Sequence, residues 1–338
     1  MEKFPFNDWT MPPNRPTIHV LRPGLFTTIQ DLGRYGYQRF GVSVSGAMDR
    51  WALVAGNRLL GNPDPSAGLE CTIQGPELLF EQTLSLAVTG ADLSPTNNGH
   101  ALPMWTVVAM QAGSRLQFGA RRQGARAYVT VAGGIDGPLI LGSRSTHVRS
   151  GLGGLAGRAL KKWDQLRVGP TGRGGAQYVG RELPEPQRPQ YSTSATVRVV
   201  PGPQADCFTE DALHRLALSP YRLTSESDRT GYRLNGLHLA PRTSADIVSD
   251  AVICGAIQVP SDQQPILLMA DCHTTGGYAK LATMIAADRS MAAQLSPGDR
   301  LSFAVVTADE ASDLFRSAHA DLDRLLPSHY VPDFRTCL

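Results

Sequence analysis

The sequence predicts a mainly β protein with few helices, arranged as two barrel-like antiparallel domains from an internal duplication. Three observations carry this. Among 338 residues there are 34 Gly and 24 Pro but only 18% charged side chains, a balance that favours frequent turns over long helices. The strand candidates are short, rich in Val, Leu and aromatic residues and bounded by Gly or Pro, and their connections lack the regular spacing of βαβ units. Four strings also recur in the same order about 180–195 residues downstream. Val20-Leu21-Arg22-Pro23-Gly24 returns as Val199-Val200-Pro201-Gly202, and Arg34-Tyr35-Gly36-Tyr37 as Arg229-Thr230-Gly231-Tyr232. Ala91-Asp92 returns as Ala270-Asp271, and Gly113-Ser114-Arg115-Leu116-Gln117-Phe118 as Gly298-Asp299-Arg300-Leu301-Ser302-Phe303.

In chain order, residues 1–16 are Pro-rich and aperiodic and read as a flexible extension. The first domain is expected over 17–170, with strands at 85–88 and 126–131. Its helix is marked by Met48, Trp51, Ala52, Ala55 and Leu59 on one stripe, stopped by Gly61-Asn62-Pro63. Residues 171–195 have little apolar periodicity and read as a linker. The second domain is expected over 196–326, with strands at 197–200, 265–269 and 301–306. A second helix is predicted from Thr209, with Phe208 and Leu213 as a hydrophobic staple. A third opens on the capping box Thr307-Ala308-Asp309-Glu310, with Ala311, Leu314, Phe315, Ala318, Leu322 and Leu325 on one face, and is expected to cross the end of the second domain. Residues 327–338 form a tail.

A hydrophobic content of 42% gives each half enough for a core and excludes disorder, and the turn-rich pattern excludes a helical bundle. The net charge is +2, with basic residues scattered, so no nucleic-acid partner is expected. Five cysteines, an odd number without Cys-x-x-Cys, argue against a disulfide framework or a zinc knuckle. The eight histidines lack metal-ligand spacing, and no metal is expected in this chain. The segment before Thr17 lacks an apolar signal core and no apolar run reaches membrane-spanning length, so no membrane and a cytoplasmic setting are expected.

Three polar clusters are candidate sites. The first places Gln30, Asp31 and Arg34 within five residues, followed by Ser45 and Asp49. An amide, a carboxylate and a planar cation can orient a carboxylate or ureido group through paired hydrogen bonds. The alternative is an Asp–Arg pair beside a turn, with Ser45 capping the helix. The second contains Gly133-Gly134 and Gly142-Ser143-Arg144-Ser145-Thr146. Ser143 stands where a phosphate loop needs Lys, so an ordinary phosphate loop is rejected. Its amides and hydroxyls can form an anion-holding nest, or the glycines simply make tight turns. The third joins Gln258 to Asp271-Cys272-His273-Thr274-Thr275-Gly276-Gly277-Tyr278. Cys272 and His273 are strand neighbours that point to opposite faces, which disfavours a nucleophilic pair.

Together these clusters resemble biotin-dependent carboxyltransferase family proteins, the group that includes the second subunit of allophanate-hydrolase-type proteins and the C subunit of bacterial 5-oxoprolinase. The resemblance rests on Thr28-Ile29-Gln30-Asp31-Leu32-Gly33-Arg34-Tyr35-Gly36, Ser45-Gly46-Ala47-Met48-Asp49, Asn57-Arg58-Leu59-Leu60-Gly61-Asn62 and Leu69-Glu70. It continues through Gly133-Gly134-Ile135, Gly142-Ser143-Arg144-Ser145-Thr146, Ser227-Asp228-Arg229-Thr230-Gly231-Tyr232, Gly255-Ala256-Ile257-Gln258-Val259-Pro260 and Thr274-Thr275-Gly276-Gly277-Tyr278. His273 stands where the family usually carries Gln, and Ala279 where Pro often follows the tyrosine.

The resemblance implies two cyclophilin-like β-barrel domains and a site shared with a partner, the B subunit, which is allophanate hydrolase subunit 1-like. With a lactam-hydrolysing A subunit, such a complex uses ATP to open 5-oxo-L-proline to L-glutamate, and whether this chain touches ATP is left open. The alternatives are a carboxyltransferase acting on urea or an amide with biotin carried by a partner, or a regulatory antagonist of a kinase inhibitor. The lack of a biotin-carboxylase segment or biotinyl Lys motif favours the first. The expected catalytic set is Gln30, Asp31, Arg34, Asp49, Arg229 and Asp271. The expected small-molecule binding set is Ser45, Gly133, Gly134, Ser143, Arg144, Ser145, Thr146, Gln258, His273, Thr274, Thr275, Gly276, Gly277 and Tyr278. Arg34, Gln30, Arg229 and Thr274-Thr275 would bind an N–C=O group, the aspartates would position donors, and the paired glycines would let the backbone approach closely.

Overall fold

Strands dominate the computed structural model, which describes residues 16–170 and 175–328; expectations for residues 1–15, 171–174 and 329–338 lie outside that range. The first half forms two antiparallel sheets. One runs in the order Phe26–Gln30, Gly68–Thr72, Gln123–Val131, Leu84–Asp92, Val107–Met110. The other runs Ile135–Asp136, Gln165–Val168, Thr17–Arg22, Glu77–Phe80, Arg115–Phe118, Pro95–Asn97, His100–Ala101. Ile18, Val20, Leu78 and Phe80 of the second sheet share one core with Leu69, Leu86, Val88 and Val129 of the first. The second half closes completely: Ser194–Pro201, Lys280–Met284, Ala256–Gln258, Ile266–Leu268, Gly231–Asn235, Tyr221–Leu223 and Arg300–Val305 form a barrel whose last strand lies parallel to its first. Closure removes the open edges that a sheet otherwise exposes. Alternation sets the inward face, with Ala195, Val197 and Val199 buried and their neighbours more exposed.

The duplicated strings agree only in part: Ala91-Asp92 end a strand where Ala270-Asp271 form a turn, and Gly231-Tyr232 open a strand where Gly36-Tyr37 lie in a loop, but the last pair matches locally with different neighbours. Gly113 and Gly298, with φ of 81° and 95°, each turn the chain into a strand. Strand Arg115–Phe118 lies between Glu77–Phe80 and Pro95–Asn97, whereas Arg300–Val305 lies against Ser194–Pro201.

Helix α1 (Arg50–Leu59) lies on strands Leu84–Asp92 and Gln123–Val131, which explains why the former is buried along nearly its whole length. Gly56 permits that approach, because a Cβ there would come 2.6 Å from Thr130 Oγ1. Asp49 rather than Ser45 caps α1, accepting from Ala52 N at 3.0 Å. Helix α2 (Ala212–Leu218) begins three residues later than the staple pattern suggests. Phe208 is bridged to Pro241 and Thr209 N donates to Ala240 O at 3.2 Å, so these residues are extended and cannot start a helix. The five-residue α3 (Arg289–Ala293) carries too little sequence for a periodic signal.

Helix α4 (Ala308–Leu325) has the full capping box at Thr307 and Glu310. Its course departs from expectation, because its far end packs on the first half. Leu322 and Leu326 join the core around α1, and Arg58 Nη1 donates to Asp323 Oδ1 at 2.7 Å and Leu326 O at 3.0 Å. The connecting segment is also docked rather than loose: Glu182 bridges to Thr106, and Leu183 and Tyr191 are buried against α1. No helix among the described residues is long and apolar enough to cross a membrane.

Candidate functional site

The two halves meet across a buried polar network. Arg229, two residues before strand Gly231–Asn235, donates from Nε and Nη2 to both oxygens of Asp271 at 2.8 and 3.0 Å, to Gly46 O at 2.6 Å, and from Nη1 to Glu70. Ser45 Oγ donates to Asp271 at 2.7 Å and lies 3.1 Å from Thr146 O. Glu70 also accepts from Met48 N at 2.8 Å and Tyr128 Oη at 2.7 Å. Burial alone would lower the Arg229 pKa, but Asp271 and Glu70 outweigh it and hold the guanidinium more firmly charged than usual. A second bridge runs from Asp49, which accepts from Gln294 Nε2 at 2.7 Å and Tyr191 Oη at 3.1 Å. Burial raises the Asp49 carboxyl above its ordinary value, against the lowering effect of Gln294 and the cap at Ala52.

The second cluster folds around Asp31. Its carboxylate accepts from Ser143 Oγ at 2.7 Å, Arg144 N at 2.6 Å, Gly33 N at 2.8 Å and Ser145 Oγ. The anion held by this nest is therefore the chain's own carboxylate, which corrects the expectation of a ligand there. Arg144 turns away to Gly137 O at 3.0 Å and Asp136 at 3.1 Å, and Thr146 Oγ1 donates to Ile29 O at 2.9 Å. Gln30 Nε2 donates to Thr28 Oγ1 and Thr146 O, both at 3.0 Å, and Arg34 Nη2 to Ser145 O. Gln30 Oε1 and Arg34 Nη1 are buried without partners. Burial lowers the Arg34 pKa, opposed by Asp31 and then Asp271.

Two clefts open beside this network. The larger, about 530 Å³, lies between the halves and is walled by Phe26, Arg126, Arg149, Asp228, Arg229 and Asp271. The smaller, about 220 Å³, is walled by Ser45, Arg50, Cys254, Cys272, His273 and Thr274. The Ser45–Asp271 hydrogen bond links a wall of one to a wall of the other. Arg34 and Gln30 line neither, so the sequence clusters converge on the seam without forming one chamber. In the smaller cleft, burial pushes the Cys272 thiol up to about 12, leaving it protonated and a poor nucleophile. Desolvation and then Arg149 lower the His273 pKa, so the ring is neutral at pH 7.

Other expected residues serve the frame. Gly133 and Gly134 have φ of 88° and 70°, and Gly133 abuts Gly169, so they make a packed turn rather than a substrate floor. Thr275–Tyr278 pairs with Asp246–Ala251 as an exposed two-stranded ribbon. Gln258 reaches its base, donating to Tyr278 O at 3.3 Å, and Gly276 leaves room for that side chain because a Cβ would lie 2.6 Å from Gln258 Nε2. Among the described residues no group of His, Cys, Asp or Glu could hold a metal ion. Sequence reasoning left Glu70, Arg126, Tyr128, Arg149 and Gln294 out of the site. The available signal was a charge inside an apolar strand, as at Glu70 in Gly68–Thr72 and Arg126 in Gln123–Val131, since buried charges require partners.

Residues 40–305 match the carboxyltransferase domain family, subdomains A and B. The chain is 36% identical to the C subunit of 5-oxoprolinase from Escherichia coli over 87% of its length and 93% of that protein. It is 36% identical to the C subunit of 5-oxoprolinase from Haemophilus influenzae over 91% of its length and 97% of that protein. The crystal structure of Kluyveromyces lactis urea carboxylase superposes with a TM-score of 0.87 at 29% identity, covering 95% of this chain but only 30% of that larger one.

Proposed function

The chain belongs to the carboxyltransferase domain family, subdomains A and B, and from that premise we propose that it acts as the C subunit of a 5-oxoprolinase. The observation that carries this is similarity to two proteins of that name over most of both chains, whereas only a fraction of urea carboxylase is matched. The complex would be cytoplasmic, with an allophanate hydrolase subunit 1-like B subunit and a lactam-hydrolysing A subunit, and would open 5-oxo-L-proline to L-glutamate. ATP supplies the driving force for the unfavourable lactam opening. Ser143, where a phosphate loop would need Lys, is turned inward to Asp31, which favours a partner as the site of ATP handling.

As the lactam opens, negative charge builds on the carbonyl oxygen, and donors fixed in advance stabilise it best. This chain would contribute fixed positive charge at the seam. Arg229, held in place by Asp271, Glu70 and Gly46 O, supplies that charge while its hydrogen bonds stay within the network, and Ser45 fixes Asp271. Asp31, Asp49 and Asp271 each already accept from several groups of the chain, which suits positioning rather than direct attack. Half of a shared site admits water, so the isolated chain would turn over little.

The structural agreement with urea carboxylase favours one second reading, carboxyl transfer from biotin on a partner to urea or a related amide. Mixing purified subunits with ATP and 5-oxoproline tests the first: glutamate should form only when this chain is present. Equal glutamate without it would refute the proposal, and urea carboxylation in the presence of a biotin carboxylase would support the second reading.

A further inference from the structure

We infer that the larger seam cleft is a carboxylate-binding site in which Arg126 and Arg149 select an anionic cyclic amide over a neutral one. This rests on the proposed function and names the substrate class of its site. The two guanidiniums stand out because neither is paired with a carboxylate and each keeps donors without an acceptor. Arg126 is 5% exposed, and its Nη1 donates to Tyr232 Oη at 2.9 Å, Leu295 O at 3.3 Å and Ala293 O. Its Nε is buried without an acceptor, although the residue lines the cleft. Nε is shut off from solvent, but Nη2 makes no hydrogen bond and is the Arg126 donor left for an oxyanion in the cleft. Arg149, on the 3-10 turn Val148–Ser150, lines the same cleft from its exposed rim and makes no hydrogen bond or ion pair.

The remaining charges at the cleft are occupied. Arg229 is committed to Asp271 and Glu70. Asp228 accepts from Thr230 N at 2.7 Å and Gly231 N at 3.2 Å, closing its own turn. Two spare guanidiniums facing one such carboxylate suit a single-charged head, not the several charges of a triphosphate. Phe26, Ile73, Leu295 and Pro297 add an apolar wall suited to ring methylenes, and about 530 Å³ is ample for a small ring. A ring such as 5-oxoproline carries its carboxylate beside the lactam, whereas urea has no charge to offer. The cleft therefore discriminates between the two substrate classes by charge.

The test compares the assembled complex carrying Arg149→Ala or Arg149→Lys with the unaltered complex. Substrates are 5-oxoproline, its neutral carboxamide and ATP, followed by steady-state kinetics and by equilibrium titration. Losing one charge-assisted contact at a partly wetted rim should raise KM and Kd for 5-oxoproline about tenfold, with kcat changed less than about twofold. Binding of the carboxamide should stay unchanged, and Arg149→Lys should fall between. An unchanged Kd for 5-oxoproline, equal weakening of acid and amide, or a rise confined to the KM for ATP would each overturn the assignment. Binding of 5-oxoproline that depends on Arg149 without glutamate formation would instead refute the proposed function and leave this assignment standing.

Discussion

Replacing Arg229 with Met tests the seam most severely. The guanidinium holds two carboxylates, Glu70 fully buried and Asp271 at 10% side-chain exposure, and makes four hydrogen bonds, of which those to Glu70 and Gly46 O cross between the halves. Methionine fills much of the volume but strands both acids. Removing one partner of a buried ion pair costs about 3–5 kcal/mol. At about 2.1 cal/mol/K per residue, roughly 300 ordered residues give a melting entropy near 0.6 kcal/mol/K, so Tm should fall by about 5–8 °C. Two buried carboxylates without a counter-charge destabilise the fold while they stay ionised, and protonation relieves that cost. The loss should therefore be full at pH 7.5 and shrink as pH falls toward 5.5. Scanning calorimetry at both pH values reads it. The triple variant E70Q/R229M/D271N, with no charge left to strand, should recover most of the stability. A fall under about 2 °C, or one equal at both pH values, would refute the claim that this network is a paired buried charge set.

Further outcomes follow from the same geometry. Asp31→Asn removes an acceptor from the Ser143–Arg144–Ser145 nest and sets an amide against donors. Tm should drop by about 3–5 °C, with faster exchange at the Arg144 amide; unchanged exchange would show that the nest does not hold the loop. At Gly153, φ is +67° and a Cβ would overlap Ser145 O and come 2.7 Å from Arg34 Nη2. Gly153→Ala should therefore cost several kcal/mol, roughly 3, and a Tm within about 1 °C of the parent would contradict it. Arg149→Ala should raise the His273 pKa, read by NMR titration, without reaching the ordinary value because desolvation, the larger cause, persists. An unmoved titration would mean that Arg149 does not act on that ring.

How much was legible in the sequence divides along physical lines. Regular elements were readable where one residue pattern decides them: the stripe from Met48 to Leu59 gave α1, and Thr307 with Glu310 gave the start of α4. The start of α2 was not, because the pairing of Phe208 with Pro241 is a contact with a distant residue. The destination of α4 also depends on a distant partner, Arg58. At the site, the motifs located the seam, since Ser45, Asp271 and Arg229 do meet there. They could not say which charges are spent on each other. Asp31 looked available for a ligand and is saturated by its own loop. Arg149 carried no motif, yet it stands uncommitted at the mouth of the cleft.

The central claim is that substrate sits between the halves, against Arg126, Arg149 and Arg229. Hydrogen–deuterium exchange of the assembled complex, with and without saturating 5-oxoproline, tests it most directly. The account predicts slowed exchange in peptides spanning 145–150 and 226–232, which border the larger cleft. Protection confined to a separate cleft between α1 and α4, lined by Trp51, Val54, Phe315 and Leu322, with those two peptides unchanged, would contradict it.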